Sequence, residues 1–302
     1  MPTRRQQFVA TILRRYPFYS GCGSLANHRL IKAIAGESSE VVWAPVRGGC
    51  SVAAPLDDHV GRAIFYVGEL DKKVTWVCSR LVRQGDSVLD IGANLGLVTF
   101  ILSRLVGATG RVYAFEPSPK MQQYIEAGIE RNRADNISLY RIALGREHDQ
   151  LRLRIPRGNA GSASLIPERL QGAPEEVVVP VERLSDIFSV ESPPKRVRLI
   201  KIDVEGFEPH VIAGASEFID RVKPDAILFE LNDIGIPASH HPTVELLAEL
   251  GYGFISLPRN FLRMRPRKFP PSDPGIVPTG NDFVAAPLGD KYEEVARRLH
   301  AR

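Results

Sequence analysis

The chain has 302 residues, of which 44% are apolar and 25% are charged. This length and composition support one sizeable core with appendages, or at most two small domains, and we predict one core. The formal net charge of +4 is too small to indicate nucleic acid as a partner. Cys22, Cys50 and Cys78 fit neither a disulfide framework nor zinc-ligand spacing, which favours free thiols in a reducing, cytoplasmic compartment.

Residues 1–59 are predicted to form a helical or irregular extension ahead of the core. The chain begins with arginines and a short apolar patch, Phe8 to Leu13, which Arg14 and Arg15 terminate. The patch is shorter than the apolar region of a secretory signal, and the sequence has no 18-residue apolar run that could form a transmembrane segment. A solvated helix packed on the core is the simplest interpretation, and a basic amphipathic helix in peripheral membrane contact is the alternative.

Residues 88–100, VLDIGANLGLVTF, predict a buried parallel strand, a glycine-bearing turn and an apolar helix. Gly92 and Gly96 bound the turn, where glycine tolerates positive φ and lets a ligand approach the backbone at a helix N-terminus. The negative charge of Asp90 would repel a polyanion such as a pyrophosphate. It is instead suited to bind the positively charged amino group of a cofactor that carries a methionine moiety. Similar turns also occur without a ligand, so the turn alone does not show that a ligand binds here.

The next predicted strand, residues 111–117, places Glu116 at its carboxyl end. An acidic side chain there can accept hydrogen bonds from both hydroxyls of a ribose, although a solvated glutamate ahead of Pro117 is the alternative. Asn94 and Val98 occupy the positions where a dinucleotide fingerprint has its second and third glycines. The pattern therefore favours S-adenosylmethionine over a nicotinamide dinucleotide.

Strand and helix patterns alternate through most of the chain, which predicts an α/β fold with a doubly wound, Rossmann-like sheet and helices on both faces. The core is predicted to cover residues 60–290, and residues 291–302 are predicted as a C-terminal tail. The predicted strands lie near 88–91, 111–115, 137–142, 197–203, 225–231, 252–257 and 281–286, and the predicted helices near 96–106, 118–132, 208–221 and 241–250.

An insertion near 147–194 breaks the alternation. One part alternates apolar and charged residues, and another carries Pro180 inside a β-branched run. Proline cannot donate a hydrogen bond to a neighbouring strand, so this position belongs on a sheet edge. The segment is therefore predicted to form an antiparallel flap outside the main sheet.

Acidic residues follow two predicted core strands. Asp203 and Glu205 come after LIKI, and Glu230, Asn232 and Asp233 close or follow ILFE. Because the carboxyl ends of parallel strands meet at one edge of a sheet, these groups are expected to converge. Their oxygens could also bind magnesium or calcium, or cap helices, but no spacing demands an ion and no metal is predicted.

The motifs together resemble the FkbM family of S-adenosylmethionine-dependent methyltransferases, from about Val60 to Ala286. The segments that carry the resemblance are DIGANLG (90–96), VYAFEPSP (112–119), IALG (142–145), LIKIDVEGFE (199–208), FELND (229–233) and NDFVA (281–285). The resemblance implies a class I methyltransferase sheet with a late antiparallel strand and a β insertion. It also implies methyl transfer from S-adenosylmethionine to a hydroxyl of a sugar, glycolipid or secondary metabolite.

The predicted site follows from these motifs. Asp203 is the first candidate for the general base, with Glu205 and Glu230 as further catalytic candidates and His210, His240 and His241 as alternatives. Ile142 and Ala143 offer apolar contact to an adenine where a polar acceptor is more usual. The predicted cofactor-binding residues are Asp90, Gly92, Asn94, Gly96, Glu116 and Ala143.

Two matters stay open at this stage. The basic run RNFLRMRPRK, residues 259–268, is either a solvated loop or a contact for a small-molecule or glycan acceptor that carries phosphate or carboxylate. A nicotinamide oxidoreductase and a non-catalytic module that binds an adenosine cofactor are the alternative functions.

Overall fold

An eight-stranded sheet organises the chain in the computed structural model, which describes residues 1–169, 173–191, 194–231, 238–270 and 281–302. Within these ranges the strands are β1 (Val41–Pro45), β2 (Ser51–Pro55), β3 (Ser87–Ile91), β4 (Arg111–Phe115), β5 (Ile137–Tyr140), β6 (Ala143–Leu144), β7 (Asp149–Ile155), β8 (Glu175–Glu182), β9 (Leu199–Ile202), β10 (Ile227–Glu230), β11 (Tyr252–Ser256), β12 (Arg267–Phe269) and β13 (Asp282–Pro287). The helices are α1 (Arg4–Leu13), α2 (Cys22–Ala26), α3 (Arg29–Ala35), α4 (His59–Val67), α5 (Lys72–Leu81), α6 (Leu97–Val106), α7 (Pro119–Asn132), α8 (Leu184–Val190), α9 (Glu208–Val222), α10 (Pro242–Glu249) and α11 (Asp290–Arg298).

The main sheet has the order β12-β11-β13-β10-β9-β3-β4-β5. Strands β5, β4, β3, β9 and β10 are parallel neighbours, and β13 runs antiparallel between β10 and β11. The predicted doubly wound sheet with a late antiparallel strand is thus confirmed. The strand order reverses between β3 and β9, which opens a crevice at the carboxyl ends of these two strands.

Strand β3 is buried from Val88 to Ile91 because helices cover both faces of the sheet. Val88 belongs to one hydrophobic core, whereas Leu89 and Ile91 belong to a second core on the opposite face. Each such side chain contributes about 1.5–3 kcal/mol when fully buried. The double burial fixes the end of β3, and with it the loop that follows.

The insertion forms a second, three-stranded sheet, in which β8 lies between β6 and β7. The antiparallel pairing of β7 with β8 confirms the predicted flap. Pro180 faces Gln150 of β7, whereas β6 pairs only with Val181 and Glu182. Within the described residues, β8 therefore has no neighbouring strand on one side of Pro180. This suits proline, which has no N–H to donate to such a strand.

Three segments differ from the prediction. The strand expected over 137–142 ends at Tyr140, and the chain then joins the flap sheet through β6. The extension over 1–59 contains the hairpin β1–β2 besides its three helices, and it shares the larger core. Residues 291–302 are largely helix α11 rather than a tail, because Val295, Ala296 and Leu299 form an apolar stripe that packs into that core.

No helix within the described ranges combines the length and the hydropathy that crossing a bilayer requires.

Gly92 is expected to be essential for joining β3 to β9. It has φ +79°, and a Cβ at this position would lie 1.9 Å from the carbonyl oxygen of Asp203. Gly251 has φ +83° with open space around it. Gly251→Ala should therefore lower the free energy of unfolding by only about 1–2 kcal/mol, the strain of a left-handed backbone at alanine. Gly92→Ala should lower the free energy of unfolding by about 2 kcal/mol more, measured by urea denaturation. Equal losses in the two variants would contradict the close approach.

Candidate active site

Two adjoining cavities lie in the crevice at the carboxyl ends of β3 and β9. The Glu116 cavity encloses about 610 Å³ and the Glu230 cavity about 1130 Å³, each including its open mouth. Gly92, Asn94, Gly161, Asp203 and Glu205 line both. The predicted loop and the predicted acidic turn therefore meet at the boundary between the two cavities.

The loop after β3 exposes backbone to both cavities. Gly92 and Asn94 have φ +79° and φ +51°, and the Asn94 side chain accepts a hydrogen bond from the N–H of Leu95 at 2.7 Å. Gly96, which has φ +83°, lies at the start of α6, where a Cβ would be 2.8 Å from the Phe100 ring. Gly92 and Asn94 thus line the cavities as predicted, whereas Gly96 allows close packing of α6.

Glu116 is buried at the end of β4 and lines the Glu116 cavity, so it is not a solvated side chain. Its two carboxylate oxygens accept hydrogen bonds from the N–H groups of Asn94 at 2.7 Å and Ser118 at 2.8 Å. Burial raises the pKa of Glu116 to about 7, although these two hydrogen bonds oppose the shift. Each oxygen retains a lone pair, so the carboxylate can still accept from two hydroxyls.

An apolar wall faces Glu116 across its cavity. Ile142 contributes from the segment after β5, Ala143 contributes from β6, and Leu153 and Leu165 contribute from the rest of the flap. Such a slot suits a flat aromatic group. Ala143 therefore lies where the sequence places an adenine contact.

Asp90 and Lys201 form a buried ion pair that sequence reasoning missed. The Nζ of Lys201 lies 3.0 Å from Asp90 Oδ1 and donates to the carbonyl of Gly92 at 2.7 Å. The hydroxyl of Thr99 donates to the other oxygen of Asp90 at 2.6 Å. Burial acts to lower the pKa of Lys201, but Asp90 and Asp203 outweigh it, so this pKa lies above its ordinary value.

The surroundings of Asp90 differ from those of the other predicted cofactor residues. Its side chain is fully buried and lines neither cavity, and its contact with the amino group of a methionine tail stays a prediction. Lys201 instead lines the Glu230 cavity, and Asp90 acts by holding Lys201. The signal was a single lysine inside the apolar strand LIKI, because a buried charge needs a partner.

The structure brings the three predicted catalytic acids, Asp203, Glu205 and Glu230, to the same cavity. Asp282 of β13, which sequence reasoning missed, joins them because it is the cross-strand partner of Glu230. Asp282 forms an ion pair with the buried Lys73 of α5. Asn232 and Asp233, which were considered as metal ligands, lie outside the described residues.

The electrostatic environment distinguishes Glu230 from the other acids. Burial raises the pKa of Glu230 to about 8, and the nearby carboxylates of Asp282 and Asp203 add to the shift. Lys73 opposes it. Glu230 can therefore exchange a proton close to neutral pH, which is the property of an effective general base.

Glu205 sits on a strained turn between β9 and α9. Its φ is +51°, and Gly206 follows with φ +95°. The buried Glu208 accepts hydrogen bonds from the N–H groups of Val204 at 3.1 Å and Gly206 at 3.3 Å. From the flap, the hydroxyl of Ser164 donates to the carbonyl of Glu205 at 3.0 Å. A left-handed non-glycine residue costs about 1–3 kcal/mol and persists where its surroundings hold it, often at functional sites.

The histidine alternatives lie away from the acids. His241 caps α10 by accepting a hydrogen bond from the N–H of Thr243, and His210 stacks on Phe207 with ring centroids 4.3 Å apart. Neither of them, nor His240, lines either cavity in the part of the chain that is described. Within the same residues, no group of three or more His, Cys, Asp or Glu side chains is arranged to hold a metal ion.

The model of the methyltransferase FkbM domain matches residues 90–254, which is more than half of the chain. The chain belongs to the FkbM methyltransferase family. The predicted family, the class I methyltransferase fold and S-adenosylmethionine as the cofactor are thereby confirmed. The match spans the loop after β3, Glu116, the turn after β9 and Glu230.

Relatives of known name cover only part of the chain. Methyltransferase 1 of Beauveria bassiana is 29% identical over 146 residues, which are 43% of this chain and 58% of that protein. The 31-O-demethyl-FK506 methyltransferase FkbM of Streptomyces tacrolimicus is 27% identical over 179 residues, 51% of this chain and 68% of that protein. The chain thus spans less than two thirds of the first of these relatives.

Among solved structures, methyltransferase FkbM from Methylobacillus flagellatus aligns with a TM-score of 0.41 and 15% identity. The alignment covers 76% of this chain and 53% of that chain.

The residues present fit the methyl donor. Glu116 offers an acceptor for ribose hydroxyls, the apolar wall offers a slot for adenine, and Gly92 leaves room that a Cβ would fill.

We expect Glu116→Ala to weaken binding of S-adenosylhomocysteine about ten- to a hundredfold, because it removes a charged acceptor of two ribose hydroxyls. Calorimetry measures the dissociation constant, and Glu130→Ala, which changes an exposed glutamate of α7, serves as the control. Wild-type affinity should also fall as the pH drops below about 7, where Glu116 becomes protonated. An unchanged dissociation constant, in a variant with intact circular dichroism, would rule out the ribose contact.

Proposed function

We propose that the protein transfers the methyl group of S-adenosylmethionine to a hydroxyl of an uncharged, hydroxyl-rich acceptor such as a sugar, a glycolipid headgroup or a secondary metabolite. The observation that carries the proposal is the cluster of acids in the Glu230 cavity, which adjoins the fitted donor site. When bound, the cofactor supplies an electrophilic methyl group on a positively charged sulfur.

Glu230 is proposed as the general base. The Glu230 carboxylate would accept the hydroxyl proton of the acceptor, whose oxygen would thereby become a nucleophile for the electrophilic methyl group that the bound cofactor supplies. A pKa of about 8 suits this transfer near neutral pH. Asp203, the first candidate from sequence, is 45% exposed and lies 3.8 Å from the Nζ of Lys201. We therefore assign Asp203, together with Glu205, to holding the acceptor hydroxyls and the positive sulfur.

The charges around the cavity favour an uncharged acceptor. Asp71, Asp203, Glu205, Glu230 and Asp282 line it, whereas Lys201 is its lining cation. Lys73 and Arg259 pair with Asp282 and Asp71, but a phosphate or carboxylate on the acceptor would still meet Asp203 and Glu205, where like charges repel.

The basic run does not reverse this balance. None of residues 259–268 lines the Glu230 cavity, and Arg259 forms an ion pair with Asp71 at 3.2 Å. Lys268 pairs with Glu293 of α11. The anionic acceptor considered from sequence is therefore not the one that we propose.

The alternative functions account for less of the site. The loop lacks the glycines that a nicotinamide dinucleotide needs, and the family is one of methyltransferases. A non-catalytic module that binds the cofactor would leave Glu230, with its raised pKa, without a task. Cytoplasmic location remains a prediction.

Acceptor class is tested by incubating the protein with S-adenosylmethionine labelled in its methyl group and with neutral sugars or their phosphorylated counterparts. Label is expected in the neutral sugars, in a form that resists mild alkali, because a methyl ether survives conditions that hydrolyse a methyl ester. Preferential labelling of the sugar phosphates, or alkali-labile label, would overturn the proposed acceptor.

Glu230→Gln is expected to lower turnover about a hundred- to ten-thousandfold while leaving the affinity for S-adenosylhomocysteine intact. In the wild type, kcat/KM should fall about tenfold per pH unit below about 8, since protonated Glu230 cannot accept a proton; the variant should lose this dependence. Glu249→Gln, at an exposed position of α10, is the control.

The outcome that contradicts this assignment is near-wild-type turnover in Glu230→Gln combined with a large loss in Asp203→Asn. A chelator is expected to leave the rate unchanged, and loss of activity that added magnesium restores would point to a metal-assisted reaction instead.

A further inference from the structure

Two features of the chain remain outside the methyl-transfer site: the N-terminal helices and the basic run 259–268. Both combine exposed apolar side chains with exposed cations. The apolar side chains are between 52% and 67% exposed and comprise Phe8, Ile12, Leu30, Ile34, Phe261 and Leu262.

The N-terminal part is strongly one-sided in charge. Residues 1–36 contain six Lys or Arg residues and no Asp or Glu. Arg14 points inward and donates to the carbonyls of Pro45 and Phe65, whereas Arg4, Arg5 and Arg15 are exposed. A further exposed pair, Arg29 and Lys32, lies on α3.

On each of the two packed helices, apolar residues occupy the outward face. Val9 and Ala10 of α1 are buried, while Phe8 and Ile12, one turn apart, are exposed. Helix α3 likewise buries Ala35 and exposes Leu30 and Ile34. Since α1 and α3 pack against each other, their outward side chains form a mixed apolar and basic face.

The basic run presents the same chemistry on an ordered turn. The N–H of Arg265 donates to the carbonyl of Pro258, and the side chain of Asn260 accepts from the N–H groups of Leu262 and Arg263. These bonds hold Phe261 and Leu262 at the tip, where 58% and 61% of their surfaces face solvent. Arg263 and Arg265 flank them and are exposed.

Contacts join this turn to the N-terminal extension. The rings of Phe18 and Phe261 lie 4.0 Å apart, and the N–H of Tyr19 donates to the carbonyl of Phe261 at 3.2 Å. Phe18 follows α1 by only a few residues. The turn is therefore in direct contact with the segment that follows α1.

We propose that this region, made of α1, α3 and the turn 258–266, docks on the surface of an anionic lipid bilayer. Phe261, Leu262 and the helix side chains would enter the boundary between headgroups and acyl chains, while the arginines bind lipid phosphates. An anionic bilayer fits better than a protein partner because the cations are dispersed around separate apolar tips, and the cavity beside the turn is lined mainly by cations that include Arg263, Arg265 and Arg267.

Docking would also place the Glu230 cavity beside the membrane. Arg259, at the base of the turn, pairs with Asp71, which lines that cavity. On the proposed function, hydroxyls of a glycolipid headgroup would then reach the acids from the bilayer side. The docking itself does not depend on methyl transfer, and its test contains no methylation step.

The test is co-sedimentation of the full chain with vesicles of phosphatidylcholine alone or of phosphatidylcholine mixed with phosphatidylglycerol. Binding is expected to the anionic vesicles at low salt and to weaken as salt rises. The double variants Phe261→Ser with Leu262→Ser, and Arg263→Glu with Arg265→Glu, should each lower the vesicle affinity about tenfold or more. Phe8→Ser with Ile12→Ser should act in the same direction.

Val190→Ser is the matched control, because Val190 is 90% exposed but lies in α8, outside the proposed surface. All variants should keep the wild-type circular dichroism and affinity for S-adenosylhomocysteine. The proposal fails if the wild type does not sediment with anionic vesicles, or if Val190→Ser loses as much affinity as the tip variant. It also fails if light scattering shows an oligomer that the tip variant dissociates, since the surface would then join copies of the chain.

Discussion

The ion pair between Asp90 and Lys201 is the interaction on which the site depends. It lies where the strand order reverses, so it joins the two neighbouring strands from which the cofactor loop and the acidic turn begin. Both charges are almost fully buried, and removing either one would leave the other unpaired at a cost of about 3–5 kcal/mol. Because Lys201 also binds the carbonyl of Gly92, the pair fixes the backbone that faces the cofactor.

The acids Asp282 and Glu230, which lie beyond this pair, differ in their electrostatic surroundings. Asp282 is held by Lys73, whereas burial and the neighbouring carboxylates favour the protonated form of Glu230. On the proposed function, the two carboxylates that are paired across β10 and β13 have different roles, since Asp282 is held in an ion pair and Glu230 exchanges a proton. Lys73 of α5 forms ion pairs with Asp282 and Asp71, whereas at Glu230 its charge only partly offsets the rise in pKa that burial and the neighbouring carboxylates cause.

Local patterns predicted much of this arrangement, and tertiary contacts account for what they missed. The turn after β3, Glu116 and the convergence of Asp203 with Glu230 follow from strand–turn–helix patterns, because parallel strands end at a common edge. Lys73 and Asp282 are 209 residues apart in sequence, so no local pattern could pair them. The apolar strand around Lys201 did carry a signal, but the partner of that lysine depends on which strands become neighbours. Helix α11 was not predicted from the sequence because its apolar stripe is short.

The flap connects the two halves of the site. Leu153 and Leu165 wall the slot for adenine, and Ser164, next to Leu165, holds the carbonyl of Glu205 on the acidic turn. At the other end of the flap, Asp58 accepts from the N–H of Ala160 while its second oxygen caps α4. On the proposed function, the flap thus contributes to both halves of the site, because the segment that lines the slot for the donor also holds the backbone of the acidic turn through Ser164.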